Sequence, residues 1–411
     1  MTLRPRFSPV LVCLFALTLG ASSAVAATRV VDDDGEATPA NCNSSTDTPY
    51  TTITEAIDDA VAGDKIIVCP GVYAEQIEIT KALTITGVRG ATVKPNPAVA
   101  NTSSLFSGAP IAAIVLVDGA TNVIIDQLTI DGSTSGLSGC GTNFVGIFYR
   151  NGSGTVKNAA VKNIYLGAGS EGCQAGLGIF AQSGDSGSSS LTVIGTSVHD
   201  YQKNGITANE PGTTLTATNN FVTGWGPTTH LAQNGIQIGF GATGTLKGNR
   251  VIDNIWSPCA TPDDPDCAAG SASGIIIFDA ADTTVVTANT VGSSQTGVYF
   301  QANAGSVTGN LIQNTQTFDG VAVVGDSNQV LNNSIFDSDE AGVFLFGESN
   351  IVQKNTINEA PVGIFIGSGT NVVPTTGKTK NVFFNVPVPV ETAAAITVSS
   401  TPTRTTTQPA R

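Results

Sequence analysis

The sequence predicts an all-β solenoid, a chain wound into short coils that stack along one axis. The first observation is a Gly followed by alternating apolar residues, most regular from Gly274 onward, where it returns every 21 to 23 residues: Gly205, Gly235, Gly274, Gly297, Gly320, Gly342 and Gly363. The second is an Asn two residues before an apolar β-branched one: Asn220, Asn249, Asn289, Asn310, Asn333 and Asn355. Both marks advance together with period-two alternation, so a β-solenoid explains them and a helical repeat does not.

Stacking gives each repeated residue a role. Coils in parallel register lie about 4.8 Å apart, so the Asn amides are expected to bond to one another in a ladder along the axis. The Gly is expected to allow a tight turn before the next strand.

One helix is predicted near the start of the coils. Thr52 and Glu55 form a capping box, Ile53, Ala56, Ile57 and Ala60 make one apolar stripe, and Gly63 ends the helix. An open solenoid end exposes apolar residues and strand edges, so we expect this helix to cover it as a lid.

The passage from Gly63 to Gly87 contains the segments Gly63-Asp64 and Pro70-Gly71-Val72-Tyr73, followed by two short apolar strands. It resembles the opening of right-handed parallel β-helix proteins of the pectin-lyase-like superfamily, which has carbohydrate-binding and sugar-hydrolase members. The resemblance covers about Pro49 to Val386. It implies a right-handed parallel β-helix with an N-terminal capping helix, and it carries no catalytic residue with it.

The chain divides into four segments. Residues 1–26 read as a signal peptide, with Arg4 and Arg6 before an apolar run and cleavage near Ala26. Residues 27–48 are an extended, acidic segment, residues 49–390 the β-helix, and residues 391–411 a Thr, Ser and Pro tail predicted to be disordered. We therefore expect a secreted protein that is extracellular, periplasmic or attached to the cell surface.

The acidic turn Asp32-Asp33-Asp34-Gly35 is a calcium site or, more simply, a solvated turn.

The charge of the chain limits the classes of partner that it can bind. The net charge is −14 and basic residues are scattered, which argues against nucleic acid or an anionic membrane as partner. No stretch after the signal peptide is long and apolar enough for us to expect membrane insertion. We expect a monomer.

Six Cys remain after the signal peptide. An even number in an exported chain suggests three disulfides, for which 15 connectivities are possible, or else the Cys are buried free thiols. Sequence proximity favours Cys42–Cys69, Cys140–Cys173 and Cys259–Cys267.

Insertions concentrate just before the Gly-Ile strands, and we expect them to stack into one wall beside a sheet. They cover residues 131–144, 165–175, 199–203, 225–233 and 255–272. Loops on a rigid scaffold commonly carry function, and these contain the residues best suited to chemistry.

Each candidate in this wall has two interpretations. Trp225 and Trp256 stack on sugar rings, or they pin their loops to the scaffold. His199, Asp200 and Lys203 supply a base and an orienting acid, or they face water; His230 and Arg250 complete this catalytic set. Three carboxylates lie in a turn between Cys259 and Cys267: Asp263, Asp264 and Asp266. If a disulfide clamps this turn, the carboxylates bind Ca²⁺, or else the turn is simply solvated. No motif requires a cofactor, and Ca²⁺ is the ion that the acidic turns would bind.

Alternation also predicts an outward stripe. If the residue after each Gly points inward, the next points outward: Phe148, Phe180, Thr207, Gln237, Ile276, Tyr299, Ala322, Phe344 and Phe365. We single out Phe148, Phe180, Gln237 and Tyr299 as binding candidates for an extended polysaccharide. The alternatives are that other segments cover the stripe or that the register is shifted by one residue.

The sequence leaves three functions open. The first is binding of an extracellular polysaccharide along the sheet beside the insertions. The second is a lyase or hydrolase of acidic glycans, although the motif series of the superfamily's polygalacturonases, pectate lyases and pectin esterases do not appear, and the alginate epimerase motif is matched only by His199-Asp200. The third is a structural or adhesive solenoid without a catalytic site.

Overall fold

The computed structural model describes residues 26–34, 42, 49–184, 186–261, 263, 267 and 270–393. Three long sheets run the length of these residues. The first sheet contains β1 (Thr28–Val31), β2 (Lys65–Val68), β5 (Thr84–Gly87), β9 (Val123–Asp126), β12 (Ser153–Lys157), β15 (Ser189–Ile194), β18 (Thr213–Thr218), β21 (Thr243–Lys247), β24 (Val285–Thr287), β27 (Ser306–Thr308), β30 (Gln329–Leu331) and β33 (Ile351–Gln353).

The second sheet follows the first within each coil. It contains β3 (Gly71–Tyr73), β6 (Ala91–Val93), β10 (Thr129–Asp131), β13 (Ala160–Ile164), β16 (Ser197–Tyr201), β19 (Phe221–Thr228), β22 (Arg250–Trp256), β25 (Thr290–Ser294), β28 (Leu311–Thr315), β31 (Ser334–Ser338), β34 (Thr356–Asn358) and β36 (Val382–Phe384).

The third sheet closes each coil. It contains β4 (Ile77–Ile79), β8 (Pro110–Asp118), β11 (Asn143–Arg150), β14 (Leu177–Gln182), β17 (Asn204–Asn209), β20 (Asn234–Gly239), β23 (Ser273–Phe278), β26 (Thr296–Gln301), β29 (Val321–Val324), β32 (Ala341–Phe346), β35 (Val362–Ser368) and β37 (Val388–Thr392). The short β7 (Thr102–Ser103) pairs antiparallel with β8, whereas the neighbours within the three sheets pair in parallel. This arrangement is a parallel β-helix, as predicted.

The predicted repeat register is confirmed. The apolar residues after the repeated Gly are aligned partners in the third sheet and are fully buried in one continuous core: Ile206, Ile236, Ile275, Val298, Val321, Val343 and Ile364. Inward and outward positions are therefore assigned correctly, with no shift of one residue.

The Asn ladder is also confirmed. From Asn220 to Asn355, each side-chain Nδ2 donates to the Oδ1 of the next ladder residue at 2.9 or 3.0 Å, and Asn381 extends the ladder by one more coil. Each Nδ2 also donates to a backbone carbonyl of the preceding coil. The ladder thus satisfies buried backbone groups at one corner of the β-helix.

The repeated Gly has a different role from the one predicted. None of these Gly residues has a positive φ. A Cβ on Gly235 would lie only 2.2 Å from Val251 Cγ1, and one on Gly274 would lie 2.3 Å from Val291 Cγ1. The left-handed turn residue comes earlier and is usually polar, for example Asp200 with φ 55° and Asp253 with φ 64°. The Gly is therefore required for close packing across the corner, not for turning the chain.

The predicted helix is α1 (Ile53–Asp59), which ends before Gly63. The Glu55 backbone N–H donates to Thr52 Oγ1 at 3.2 Å, and Ile53, Ala56 and Ile57 are buried in the core beside the first coil. Lys81 Nζ donates to the carbonyl of Ala60 at 2.7 Å and so caps the helix end. The role of α1 as a lid stays a prediction.

The three disulfides have the predicted pairing: Cys42–Cys69, Cys140–Cys173 and Cys259–Cys267. The segment 27–48 contributes β1 to the first sheet, and the β-helix extends through β37 to Thr392. The predicted signal-peptide residues 1–25 and the tail residues 394–411 lie outside the described residues. Within the described ranges, no helix has the length and apolarity needed to cross a bilayer.

Candidate functional site

The predicted insertions lie at one corner of the β-helix. Each joins a strand of the second sheet to the strand of the third sheet in the same coil, at residues 132–142, 165–176, 229–233 and 257–272. The segment 199–203 is not an insertion, because β16 extends to Tyr201 and only residues 202–203 form the connection. Trp225 lies within β19 and Trp256 ends β22, so neither is in the connections, where the sequence predicted them. We call the surface formed by these connections together with Trp225 and Trp256 the corner wall.

An aromatic pair lies on the corner wall. The rings of Tyr165 and Trp225 meet edge to face, with centroids 5.7 Å apart and planes at 64°. Trp225 occupies an irregularity in the pairing of β19 with β22, between Thr223 and Gly226, and its side chain is 38% exposed. Its backbone N–H donates to Gln233 Oε1 at 2.8 Å. A bulge turns a side chain away from the regular sheet, so this irregularity presents the indole to solvent.

A cleft of about 240 Å³ adjoins Tyr165. Its other lining residues are Gly132, Ser133, Ser135, Gly136, Leu137, Ser138 and Gly167. The two loops around it are joined by the disulfide Cys140–Cys173 and by a 2.7 Å hydrogen bond from the Gly139 N–H to Ser170 Oγ. The cleft walls are thus fixed covalently, and they offer small hydroxyl groups beside an aromatic ring.

His199 and Asp200 form a hydrogen-bonded pair on β16. His199 Nδ1 lies 2.7 Å from Asp200 Oδ2, and the two side chains are 38% and 45% exposed. His199 is the aligned partner of Lys162 in β13 and of Thr223 in β19. It therefore lies in the coil between the coil that contains Tyr165 and the coil that contains Trp225. With Nδ1 oriented by the carboxylate, Nε2 is the ring nitrogen left to act as a general base.

Lys203 does not join this pair at the surface. It is fully buried, and its Nζ donates to the Ala232 carbonyl at 2.8 Å under the loop 229–233. Burial lowers the pKa of the Lys203 ammonium to about 7. The side chain therefore packs the wall from inside.

This burial predicts a pH dependence of stability. The unfolded Lys203 keeps an ordinary pKa of about 10.4. Between the two pKa values the unfolded state binds more protons, so stability rises with pH, by up to about 1.4 kcal/mol per pH unit. Urea unfolding at pH 7, 8 and 9 should show this rise in the wild type and a smaller one in Lys203→Met. Parallel pH curves for the two proteins would contradict the assignment.

The remaining catalytic candidates are dispersed. His230 is exposed in the loop 229–233. Arg250 lies at the start of β22, two residues before Ile252, which is in register with His199. The Arg250 guanidinium is 5.9 Å from the centre of the Phe221 ring. The structure thus brings together only His199 and Asp200 of the five residues.

Trp256 ends β22, and the predicted acidic turn belongs to the connection that follows it. Trp256 is half-buried at the end of β22, and its backbone N–H donates to Gln295 Oε1 at 3.1 Å. Asp263 is exposed, whereas Asp264 and Asp266 lie outside the described residues. Among the residues that the structure describes, no three His, Cys, Asp or Glu side chains form a group that could hold a metal ion.

The outward face of the third sheet begins with a buried aromatic stack. Phe148 and Phe180 are parallel at 4.8 Å and 0% and 1% exposed, within an apolar cluster separate from the core. A segment after β7 crosses this end of the sheet, because the Leu105 N–H donates to Gln182 Oε1 at 2.8 Å. Neither ring is accessible to a glycan in this structure.

The middle of the same face is an amide network. Asn204 Nδ2 donates to Gln237 Oε1, and Gln237 Nε2 donates to Asn209 Oδ1, each at 2.8 Å. Asn234 Nδ2 donates to Asn204 Oδ1 at 3.2 Å. Gln237 is fully buried and Tyr299, further along, is 7% exposed. These two candidates therefore offer little surface, and the exposed candidates lie on the corner wall.

Comparison with solved structures supports the fold. A lacto-N-biosidase of family GH136 from Eubacterium ramulus superposes with a TM-score of 0.57 at 12% identity, over 89% of this chain and 68% of that one. PfbA, a surface adhesin of Streptococcus pneumoniae, gives 0.55 at 13% identity, over 84% and 88%. The Dettilon tailspike protein gives 0.53 at 14% identity, over 85% and 68%. The chain has a right-handed parallel β-helix fold.

Part of the β-helix matches one sequence family. The profile described as NosD, periplasmic copper-binding protein, matches residues 264–381. No curated protein sequence matches the chain significantly. Copper prefers imidazole, thiolate and thioether ligands, but residues 264–381 contain no His and no Met, and their one Cys, Cys267, is bonded to Cys259. The matched part of the β-helix therefore lacks a ligand set that fits copper.

Two features of the β-helix were missed in the sequence. A second ladder is formed by Asn328, Asn350 and Asn371, where each backbone N–H donates to the next Oδ1 at 2.9 Å. These residues also stand two positions before a Val, so the same pattern would have found them. Tyr165 was not singled out, because its contact with Trp225 depends on the irregularity in β19.

Proposed function

We propose that this β-helix is an exported glycan-binding protein that holds an extended polysaccharide on the corner wall and the adjoining edge of the third sheet. The observation that carries the proposal is the exposed Trp225 ring paired with Tyr165 beside a cleft lined by serine hydroxyls. Aromatic faces pack on the C–H faces of sugars, and hydroxyl groups bond to sugar hydroxyls.

Export is part of the same proposal. It is supported by the signal-peptide pattern of residues 1–26, by three disulfides, which persist in oxidising compartments, and by the description of the NosD family as periplasmic. The proteins that share the fold include a lacto-N-biosidase and a surface adhesin. We propose that the protein acts as a monomer, without a required cofactor.

A Trp225→Ala variant tests the proposal. Immobilised neutral, acidic and amino polysaccharides, screened with and without EDTA, should retain the wild type on at least one polymer. The variant should bind that polymer about tenfold or more weakly, because truncating an aromatic anchor costs about 2 kcal/mol. Phe221→Ala is the matched control, since Phe221 is 42% exposed but lies outside the wall. Equal retention of all three proteins, or no retention of the wild type, would remove the proposal.

A second candidate function is cleavage of the bound glycan. The observation in its favour is the 2.7 Å contact of His199 with Asp200, an arrangement in which a carboxylate orients a general base. The same incubations, followed by absorbance for unsaturated products and by a reducing-end assay, separate the two functions. Product that depends on His199 supports an enzyme, and retention without product supports a binding protein.

A further inference from the structure

A second cavity lies on the outward face of the third sheet, several coils beyond the corner wall. Its volume is about 160 Å³, and its lining contains three carboxylates and two aromatic rings: Asp319, Glu340, Glu391, Phe344 and Phe365, with Ala341 and Val362. We call it the terminal pocket. Sites for drug-sized ligands are roughly 300–1,000 Å³, so this pocket suits a single sugar unit of a longer polymer.

The apolar part of the terminal pocket is a stacked pair of rings. Phe344 of β32 and Phe365 of β35 are aligned partners, with ring centroids 5.7 Å apart and planes only 7° from parallel. Both side chains are half-buried, so part of each ring reaches solvent. Rings fixed in this way by cross-strand pairing present a rigid apolar surface to a ligand at low entropic cost.

The polar part of the terminal pocket is entirely acidic. Asp319 precedes β29, Glu340 precedes β32, and Glu391 is the aligned partner of Phe365 in β37, so the carboxylates come from three different coils. Among the described lining residues there is no Lys or Arg. The chain as a whole carries a net charge of −14. An acidic pocket with aromatic rings attracts a cation and repels a uronate.

We propose that the terminal pocket is a subsite for a protonated amino sugar within the polysaccharide. The ring pair would pack against the sugar face while Glu340 and Glu391 pair with its ammonium group and accept its hydroxyls. Asp319 is 0% exposed and does not contact the ligand. This inference rests on the proposed function, and it adds a substrate class, a cationic glycan, that differs from the acidic glycans of the alternative lyase or hydrolase function.

The test uses three β-1,4-linked oligomers of equal length that differ at one position of the sugar: a chitosan oligomer with an amine, a chitin oligomer with an acetamide and a cello-oligomer with a hydroxyl. Calorimetric titration of the wild type should give about tenfold tighter binding of the chitosan oligomer than of the cello-oligomer. Glu391→Gln, at an exposed position, should reduce this preference about threefold. Glu348→Gln, an exposed carboxylate outside the pocket, is the matched control and should leave the preference unchanged.

A Phe365→Ala variant examines the ring pair. It should weaken binding of the chitosan and chitin oligomers by a similar factor, because stacking does not depend on the amine. Equal affinity for all three oligomers, or an amine preference that is the same in Glu391→Gln and wild type, would overturn the inference. Either result leaves the proposed function standing if retention still depends on Trp225. If no polymer retains the wild-type protein, both the inference and the proposed function are overturned.

Discussion

Replacing Asn310 with Ala should destabilise the protein by about 3–4 kcal/mol. The Asn310 side chain is 2% exposed and makes four hydrogen bonds. Its Nδ2 donates to the Val286 carbonyl and to Asn333 Oδ1, both at 3.0 Å. Its Oδ1 accepts from the Asn289 N–H at 2.9 Å and from Asn289 Nδ2 at 3.0 Å. Alanine would leave the buried Asn289 N–H without this acceptor, and that loss dominates the cost.

The measurement is the free energy of unfolding from urea titrations followed by far-UV circular dichroism. The matched control is Asn303→Ala. Asn303 makes two side-chain hydrogen bonds, to Asp282 and from the Asp326 N–H, but it is exposed, so water replaces them at a cost below about 1 kcal/mol. If the two variants lose the same stability, the ladder is not a major source of stability.

The repeat made most of the fold predictable. The repeated Asn and Gly residues recur with the same period, and this period gives the coil length. They also determine the register, because a slip by one residue would expose every inward Ile and Val. The corner that holds the insertions follows from the same register. The disulfides could be paired because each joins neighbouring connections or segments close in sequence.

The site was predictable only in part. Trp225 and the His199–Asp200 pair stand out by residue type, and the structure places them in adjacent coils. The burial of Phe148 and Phe180 depends on where the segment after β7 folds back, and no local pattern encodes that path. The terminal pocket was missed for a similar reason: Asp319 and Glu391 are 72 positions apart and meet only when the last coils stack.

Replacing Gly235 with Ala should cost about 2–4 kcal/mol, although Ala normally favours regular structure over Gly. The added Cβ would lie 2.2 Å from Val251 Cγ1 and 2.5 Å from the Gly274 carbonyl oxygen. One contact is a β-branched side chain held in the core and the other is backbone, so neither can move aside cheaply.

The corresponding control is Gly141→Ala. Nothing lies within 4 Å of a Cβ at Gly141, and its φ is not positive, so the substitution should leave stability within about 0.5 kcal/mol of the wild type. The double variant Gly235→Ala with Val251→Ala should recover part of the loss, because removing Cγ1 relieves one of the two contacts while opening a cavity of its own. Recovery would show that the repeated Gly serves packing across the corner. A Gly235→Ala protein as stable as the wild type would contradict this packing role.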